Sequence, residues 1–397
     1  MKLFLQFGHG MLALSKHLIG KWGEGAVILS PRDMSFEQIK KLPKEIIPLG
    51  GKILFDPQLF APHCTHHGLA KFGYWPQQFN TVEFFSSAKC RETLDNIAQI
   101  NESAHTDAMI LPGLFCSKVT SRWLDYHSKI VSLSKNYSKD RLATVCLSAE
   151  VVRSPEQISK LMNDIFVWDV SGIYLIVQHP FNEYLVDDPV WMSNLLHIGA
   201  AIKIQRKKLV VGYATHQFLP FACVGADAIA SGTWLNVRMF STDKFEEPEE
   251  GSVVKRKTWY YCPQTLSEYQ DTALMMAYNK RRLEFFAPAN NMHSDYADVL
   301  FAGAPPDTVK FDEPKAFRHY LTCLRSQCKQ LSNMSYADTY RQMELILNVA
   351  SENLRTASRL GVKGKNRDFA EAIDATKTAI VELHREFEIQ LSMLMPT

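Results

Sequence analysis

Several polar residues that can carry acid–base chemistry come directly after short apolar segments. Asp56 directly follows the apolar segment 52–55. A carboxyl group at this position could act as a general base, as a nucleophile, or as a group that recognises a nucleobase. A plain turn-capping role before Pro57 is the alternative interpretation. His216 and Ser231 occupy comparable positions and are candidate catalytic partners. Further candidate substrate-binding residues at such positions are Gln58, Gln178 and His179.

Cysteine and histidine residues in the last third of the chain suggest a structural zinc site. Cys262, His319, Cys323 and Cys328 offer three thiols and one imidazole, which suits a tetrahedral zinc ion. None of these pairs has the short Cys-x-x-Cys spacing, and on a helix Cys328 would be rotated away from His319. A second, more compact set of suitable ligand types lies in one loop: His63, Cys64, His66 and His67.

Basic residues beside aromatic rings predict contact with nucleic acid. Residues 255–261 read KRKTWYY, and cations next to stackable rings are typical of nucleic-acid surfaces. The alternative is a solvated loop that its aromatic rings anchor to the rest of the protein. The candidate nucleic-acid contacts are Lys255, Arg256, Lys257, Trp259, Arg281 and Arg282.

The elements that must position these residues form an alternating series. Amphipathic segments with helical spacing separate most of the apolar runs, which predicts parallel strands joined by right-handed crossovers. Eight such units match the length of a closed (β/α)8 TIM barrel, and the absence of a Gly-rich phosphate-binding fingerprint disfavours an open sheet. The predicted strands are Lys2–Phe7, Ala26–Leu29, Lys52–Phe55, Ala108–Leu111, Leu142–Leu147, Gly172–Val177, Lys208–Gly212 and Ala226–Ala230.

The rest of the chain is predicted to be mainly helical. We expect a barrel over residues 1–240, an appended loop and helical insertion over 241–335 that could carry the zinc, and C-terminal helices over 336–397 that could dock a protein partner. A net charge of +2 requires any nucleic-acid binding to come from local basic clusters. No apolar run is long enough to span a membrane, and eight scattered cysteines favour the cytoplasm.

Four stretches of the chain resemble the tRNA-guanine transglycosylase superfamily, including its relatives that insert deazaguanines into DNA. The openings FLQFGHG, VILSPRD and ILFDPQ follow the order of that family's first three strand ends, and Asp56 stands where the family has a functional Asp. The stretch GADAIASGTWLNVR is similar to the family's eighth strand. That similarity implies substrate-binding roles for Asp227, Asn236 and Arg238, and a zinc-bearing insertion further along the chain.

The resemblance implies chemistry in which a carboxylate attacks the anomeric carbon of a flipped-out guanosine and an incoming base displaces it. The family's nucleophilic Asp would fall at Ile229, Ala230 or Ser231, and none of these is a carboxylate. Two other hypotheses therefore stand beside base exchange. One is a non-catalytic nucleic-acid-binding or assembly subunit. The other is a metal-dependent hydrolase that uses histidines at the strand ends: His9, His63, His179 and His216.

Overall fold

The first part of the chain folds as the expected (β/α)8 barrel. The computed structural model describes residues 1–64, 66–245 and 257–396. The barrel strands are β1 Lys2–Gln6, β2 Gly25–Leu29, β3 Gly51–Phe55, β4 Met109–Ile110, β5 Phe115–Cys116, β6 Arg141–Leu147, β7 Gly172–Val177, β8 Lys208–Val211 and β9 Ala228–Ser231. All eight predicted strands are found, and β4 and β5 are two halves of the fourth.

The barrel is nearly closed, with one seam. The hydrogen-bonded strand order is β3-β2-β1-β9-β8-β7-β6-β4, and β5 also pairs with β6. Every pairing in this sheet is parallel. Across the seam between β3 and β4, Asp107 donates its backbone N–H to the Ile53 carbonyl (2.8 Å) and accepts from the Ile53 N–H at its carboxylate (2.9 Å). The Asp107 carboxylate thus takes the place of one backbone acceptor between β3 and β4.

Helices surround the strands. The barrel helices are α1 Met11–Trp22, α2 Phe36–Ile46, α3 Thr81–Phe84, α4 Ser87–Ser103, α5 Ser121–Leu133, α6 Ala149–Arg153, α7 Pro155–Val167 and α8 Pro189–Ile204. Their buried positions repeat every three to four residues, as on Leu14, Leu18 and Ile19 of α1, because one face of each helix covers the strands. Within the described residues, no helix combines the length and apolarity needed to cross a membrane.

Helices from the end of the chain complete the outer ring. The connection from β8 to β9 contains a 3-10 segment, His216–Ala222, where most units have an α-helix. Helix α12 packs along α8 beside this segment, while α10 packs against β1. These C-terminal helices therefore share the hydrophobic core of the barrel. Their bounds are α10 Glu313–Gln330, α11 Tyr336–Arg359 and α12 Ile373–Leu394.

A small hairpin lies between the barrel and these helices, and the sequence analysis did not predict it. Strands β10 Tyr260–Cys262 and β11 Ser267–Tyr269 pair antiparallel, and helix α9 Asp271–Asn279 follows. The hairpin and α9 form a second, smaller hydrophobic cluster. Tyr260 and Tyr261 are almost completely buried, so their rings belong to the core. The expectation that residues 255–261 display all their rings to nucleic acid is wrong for these two tyrosines.

A buried ionic network joins the barrel, the hairpin and the C-terminal helices. Glu268 of β11 accepts hydrogen bonds from Arg238 after β9 (3.2 Å) and from Arg367 between α11 and α12 (2.7 Å). Tyr184 donates its hydroxyl to the same carboxylate at 2.6 Å. Burial alone would raise the pKa of Glu268, but the positive charges of Arg367 and Arg238 outweigh it and lower the pKa to about 2.

We predict that Glu268→Gln destabilises the protein by about 3–5 kcal/mol, because it leaves two arginines without their counter-charge in a buried position. Urea denaturation at pH 7 measures this change. Since the pKa of Glu268 is depressed, its contribution is complete above about pH 4.5 and is lost as the pH falls toward about 2. The exposed pair of Lys160 and Glu156 provides the control, and Glu156→Gln should change the free energy of unfolding far less than Glu268→Gln does, because solvent screens this pair. Equal costs for the two variants would contradict a structural role for the network.

Candidate functional site

The carboxyl group of Asp56 lies inside a cage of polar side chains at the carboxyl end of the barrel. It has no exposed surface. Its Oδ1 accepts from the backbone N–H of Gln58 at 2.9 Å, and its Oδ2 lies 3.2 Å from the hydroxyl oxygens of both Tyr174 and Tyr213. The expectation that β3 delivers Asp56 to the barrel mouth is therefore met in geometry. Two tyrosines that the sequence analysis did not identify complete its surroundings.

Burial raises the pKa of Asp56 to about 7, against the opposing effect of hydrogen bonds from Gln58, Tyr174 and Tyr213. The hydroxyl of Tyr174 also lies 3.0 Å from Oε1 of Gln6, so one proton faces two acceptors. A protonated Asp56 removes this conflict, because it can donate to Tyr174 while Tyr174 donates to Gln6. Asp56 can therefore change protonation state near neutral pH, as a general acid or base must.

Unfavourable backbone conformations occur in this cage. Gln58 has a φ of 54° and Tyr213 a φ of 52°, both in the left-handed region that favours glycine. The side-chain Nε2 of Gln58 donates a hydrogen bond to the Tyr213 hydroxyl at 2.9 Å, so the two strained residues also contact each other. Such conformations cost about 1–3 kcal/mol each and concentrate at functional sites. Their coincidence around Asp56 is the strongest local indication of function in the barrel.

A plug of aromatic residues covers this cage. Phe240 and Phe245 pack edge-on against Phe60 with ring centroids 5.2 and 5.3 Å away. Lys244 lies between them, its ammonium 4.7 Å from the centroid of the Tyr213 ring and bonded to the carbonyls of Asn236 and Met239. Burial lowers the pKa of Lys244 well below the usual range for lysine. The plug thus packs on Tyr213, whose hydroxyl contacts Asp56.

The predicted pair of Ser231 and His216 lies in a neighbouring part of the rim. Both residues are almost fully buried, and burial lowers the pKa of His216 to about 4. Neither ring nitrogen of His216 forms a hydrogen bond of standard geometry, and neither does Oγ of Ser231. The structure therefore shows no Ser–His hydrogen bond that would activate a nucleophile. Tyr320 lies next to both residues.

Arg238, which was expected to bind substrate, lines a small crevice beside this rim. The crevice holds about 30 Å³, which is room for about one or two water molecules. Arg238 donates through Nε to the Gly232 carbonyl at 2.9 Å and stacks over the Tyr320 ring, 3.5 Å from its centroid. Its guanidinium is engaged by Glu268, so its first role is structural. The remaining charged residues that line the crevice are Lys257, Glu268, Glu313 and Arg367.

The other predicted substrate-binding residues are dispersed. Gln178 is partly buried, and its backbone pairs with that of Phe240. His179 is buried and forms a hydrogen bond through Nδ1 with the Glu183 carbonyl. Burial lowers the pKa of His179 to about 4, which keeps the ring neutral. Asn236 presents its backbone carbonyl to Lys244. Asp227 precedes β9 at the opposite end of the barrel, where it pairs with Lys203 at 2.7 Å. A substrate at the mouth cannot reach Asp227.

The four predicted zinc ligands do not come together. Cys323 Sγ lies 3.6 Å from Nδ1 of His319, but His319 is bonded through Nε2 to the Tyr261 carbonyl at 2.7 Å. Cys328 is five residues further along α10, next to the N-terminal amino group, and burial raises its pKa to about 12. Cys262, His319, Cys323 and Cys328 do not fit a tetrahedral zinc ion. Within the described residues, one group of three residues has ligand atoms within 4.8 Å of one another, and it is exposed: His293, Asp295 and Asp298.

The predicted nucleic-acid contacts are only partly described. Lys255 and Arg256 lie outside the described residues. Lys257 is exposed, and Trp259 is half-buried under the guanidinium of Arg367, 4.2 Å from its ring centroid. Arg281 and Arg282 are exposed beyond the end of α9. The rings of this region are therefore less available for stacking than its cations are for phosphate contacts.

Residues that the sequence analysis missed are important in this site. Tyr174 and Tyr213 contact Asp56, Lys244 closes the mouth, and Glu268 and Arg367 pair with Arg238. One local signal existed for Tyr174. It interrupts the otherwise aliphatic strand GIYLIV, and Gly212 leaves space for its ring, because a Cβ there would meet the Tyr174 hydroxyl at 2.5 Å.

We predict that Asp56→Asn stabilises the protein at pH 8 and has little effect at pH 5. The folded-state pKa of Asp56 is raised to about 7, so the wild type loses stability as the pH rises from the unfolded value of 3.8 toward 7. An amide has no such dependence, and the gap between the two proteins should grow by about 2–3 kcal/mol between pH 5 and pH 8. Urea denaturation at both pH values measures it. The exposed Asp187→Asn is the control, and parallel curves for Asp56→Asn and wild type would contradict the raised pKa.

We predict that Gly212→Ala displaces Tyr174 from Asp56. The new methyl group would lie 2.5–2.7 Å from three atoms of the Tyr174 phenol, so the ring must move. We expect a loss of about 1–3 kcal/mol of stability and a smaller pH dependence, since the Asp56 cage loosens. Gly20→Ala, whose Cβ meets only Leu49 at 3.6 Å, is the matched control. An unchanged pH profile in Gly212→Ala would show that Tyr174 does not hold Asp56 in place.

Comparisons with known proteins leave the family open. No protein-family model and no curated protein matches the chain. Among solved structures, the chain is similar to the homocysteine methyltransferase MmuM from Escherichia coli in its metallated form, at 11% sequence identity and a TM-score of 0.33, covering 58% of this chain and 90% of that one. A likeness at this level carries no argument about chemistry, and the function must be argued from the site itself.

Proposed function

We propose that this protein is a transglycosylase-like barrel that recognises a nucleic-acid base of the guanine or deazaguanine type, with Asp56 as the group that contacts the base. The observation that carries the proposal is the Asp56 cage, in which a fully buried carboxyl with a pKa near 7 is held by two strained residues, Gln58 and Tyr213. A buried carboxyl of this kind is costly to maintain and is typical of functional sites. The resemblance of the first three strand ends to the transglycosylases supplies the substrate class.

The hydrogen-bonding groups around Asp56 suit the edge of a purine. An ionised carboxylate accepts two hydrogen bonds, as the N–H groups of guanine require, and a protonated one can donate to a ring nitrogen. Within the described residues, several buried polar atoms at this end of the barrel form no hydrogen bond of standard geometry, and Nε2 of Gln6 is the one whose side chain also contacts Tyr174 of the cage. A polar ligand would satisfy atoms that otherwise remain unpaired at a cost of about 1–3 kcal/mol each.

A base can reach Asp56 only if the plug of residues 240–245 moves. The plug contains Lys244, a partly buried lysine that donates to the carbonyls of Asn236 and Met239 and, among the described residues, forms no ion pair with a carboxylate. Opening of the plug would break these two contacts. The proposed function thus includes displacement of Phe240, Lys244 and Phe245 when a base enters.

The catalytic part of the proposal rests on Asp56 alone. In the transglycosylase reaction a second carboxylate attacks the sugar, and the end of β9 supplies Ile229, Ala230 and Ser231 in its place. The neutral His216 makes no hydrogen bond to Ser231 that would activate it. Base exchange, as a transferase acting in tRNA or DNA modification, therefore requires Asp56 to act as acid and base. We expect such activity in the cytoplasm, where the eight free thiols of the chain stay reduced.

A second candidate function is a non-catalytic assembly subunit that binds nucleic acid. The missing carboxylate favours it, and so do apolar side chains exposed on the C-terminal helices. Leu345 and Val349 lie one turn apart on α11 and are 54% and 41% exposed, and Ile389 of α12 is 70% exposed. Apolar side chains at helical spacing are the usual means by which one helix docks another protein.

We predict that the wild type binds free guanine or 7-deazaguanine and that Asp56→Asn weakens this binding at least about tenfold, because it removes a charge-assisted hydrogen bond. Equilibrium dialysis with the radiolabelled base measures the affinity, and Asp187→Asn is the control. Equal affinities for wild type and Asp56→Asn would contradict the role of Asp56.

The same labelled base separates the two candidate functions. Incorporation into tRNA or duplex DNA by the wild type, and its loss in Asp56→Asn, would establish base exchange. Binding without any incorporation would favour the assembly subunit.

A further inference from the structure

A set of cations lies along the appended region, and among the described residues all of them except Arg367 are exposed and outside any ion pair. Between Glu352 and Asp368 the chain has five basic residues and no acidic one. The segment 280–282 after α9 adds three more. We call this set the basic track. It consists of Lys280, Arg281, Arg282, Arg355, Arg359, Lys363, Lys365 and Arg367.

Contacts between the two segments make the track continuous in space. Lys280 donates through Nζ to the carbonyl of Leu360 at 2.9 Å, which joins the end of α9 to the end of α11. Lys365 donates to the Gln270 side chain at 3.1 Å, on the other side of the same loop. Arg355 and Arg359 are one helical turn apart, so their side chains leave the same face of α11 at a spacing of roughly 6 Å.

The track differs from the rest of the surface in its lack of counter-charges. Many other exposed cations are paired, as are Lys160 with Glu156 and Arg341 with Asp338. Among the residues that the structure describes, Arg367 is the one member of the track in an ion pair. The exposed members without such a pair are Lys280, Arg281, Arg282, Arg355, Arg359, Lys363 and Lys365.

Helix stabilisation explains only part of this arrangement. Cations in the last turn of a helix interact favourably with its dipole, which accounts for Arg359. It does not account for Lys363 and Lys365, which lie beyond α11. Arg281 and Lys365 also adopt left-handed φ values of 55° and 52°, where glycine would be less costly. Long cationic side chains at these positions therefore have a reason other than backbone geometry.

One end of the track borders a groove and the other end reaches the barrel rim. The groove has a volume of about 470 Å³ and is lined by Tyr278 and Arg281, with Glu284 as its one acidic lining residue among the described residues. That volume lies in the range of small-ligand pockets and can accept a nucleobase. At the other end, Arg367 lines the crevice beside Arg238, next to the carboxyl end of β9. The Tyr278 ring, the basic track and the barrel rim thus follow one another along this surface.

We propose that the basic track binds the phosphate backbone of a single-stranded nucleic-acid segment and leads it to the barrel rim, with one base stacked on Tyr278. This inference rests on the nucleic-acid function proposed above and adds the path that the strand takes outside the barrel. Unpaired cations contact successive phosphates, and an adjacent aromatic ring stacks a base without reading its sequence.

The test uses the full-length protein and a fluorescein-labelled single-stranded DNA, with binding followed by anisotropy over a series of salt concentrations. In the track variant, Arg359, Lys363 and Lys365 are each changed to Glu. The control variant carries Lys41→Glu, Lys44→Glu and Lys71→Glu, which change the same number of exposed cations on the barrel. We expect the track variant to lose at least about tenfold in affinity and about 0.7 in salt slope per lost phosphate contact. The control variant should match the wild type.

Two further variants keep the test independent of folding. The same three cations changed to Gln should reduce the slope in the same direction without adding negative charge near the end of α11. Tyr278→Ala should weaken binding and leave the salt slope unchanged, because stacking releases no counterions. Equal salt slopes for the wild type, the Glu variant and the Gln variant would overturn the proposal.

Other outcomes separate this proposal from the proposed function. If the track variants bind guanine as the wild type does but lose single-stranded DNA, both proposals are supported. If the slope changes while the wild type binds no guanine, the track is supported and base recognition is overturned. Binding of the wild type to phosphatidylserine-containing vesicles that matches its binding to DNA, and that is lost in the track variant, would assign the surface to membranes and overturn the nucleic-acid proposal.

Discussion

The carboxylate of Glu268 is the interaction on which the assembly of this protein depends. It comes from a two-stranded hairpin that has little core of its own, and it binds one arginine from the barrel and one from the C-terminal region. A single buried anion therefore sets how three parts of the chain meet. Because two guanidinium groups share one carboxylate, a net positive charge remains at the barrel rim, next to the crevice and to Lys257. The same interaction that stabilises the fold thus makes this rim attractive to anions.

The pKa values of the two buried carboxyl groups, Asp56 and Glu268, are shifted in opposite directions. Glu268 keeps its charge because two arginines compensate for desolvation, whereas Asp56 has only hydroxyl and amide partners and shifts toward its neutral form. The first is stable over most of the pH range, and the second changes state near neutrality. A buried acid with arginine partners, such as Glu268, thus has a structural role, whereas one without a counter-charge, such as Asp56, is a candidate for acid–base chemistry. It also explains why Asp56 lies beneath a plug, since exclusion of water is what raises its pKa.

Local patterns predicted the barrel but not the contacts inside it. The eight strands were identifiable because each is a short apolar run, and Asp56 because it directly follows one of them. The hairpin was missed because three residues such as YYC are too few for a period to be seen, and the same two tyrosines were assigned to a surface that they do not reach. Tyr213 and Arg367 approach Asp56 and Glu268 from distant parts of the sequence, and no local signal marks such contacts. The four predicted zinc ligands do not converge among the described residues, since Cys328 lies five residues beyond Cys323 on the same helix.

The seam between β3 and β4 has a consequence for the local stability of the barrel. Because the Asp107 side chain stands in for part of a ladder, the fourth strand can be broken by Pro112 and Gly113 while the barrel keeps its curvature. β4 and β5 each pair with β6 over only two residues, whereas β6 pairs with β7 over six. A substitution in the fourth strand therefore disrupts fewer ladder hydrogen bonds than one in β7. The sheet beside the buried carboxyl of Asp56 is held together by the fewest backbone contacts, so we expect the barrel to open first at this seam.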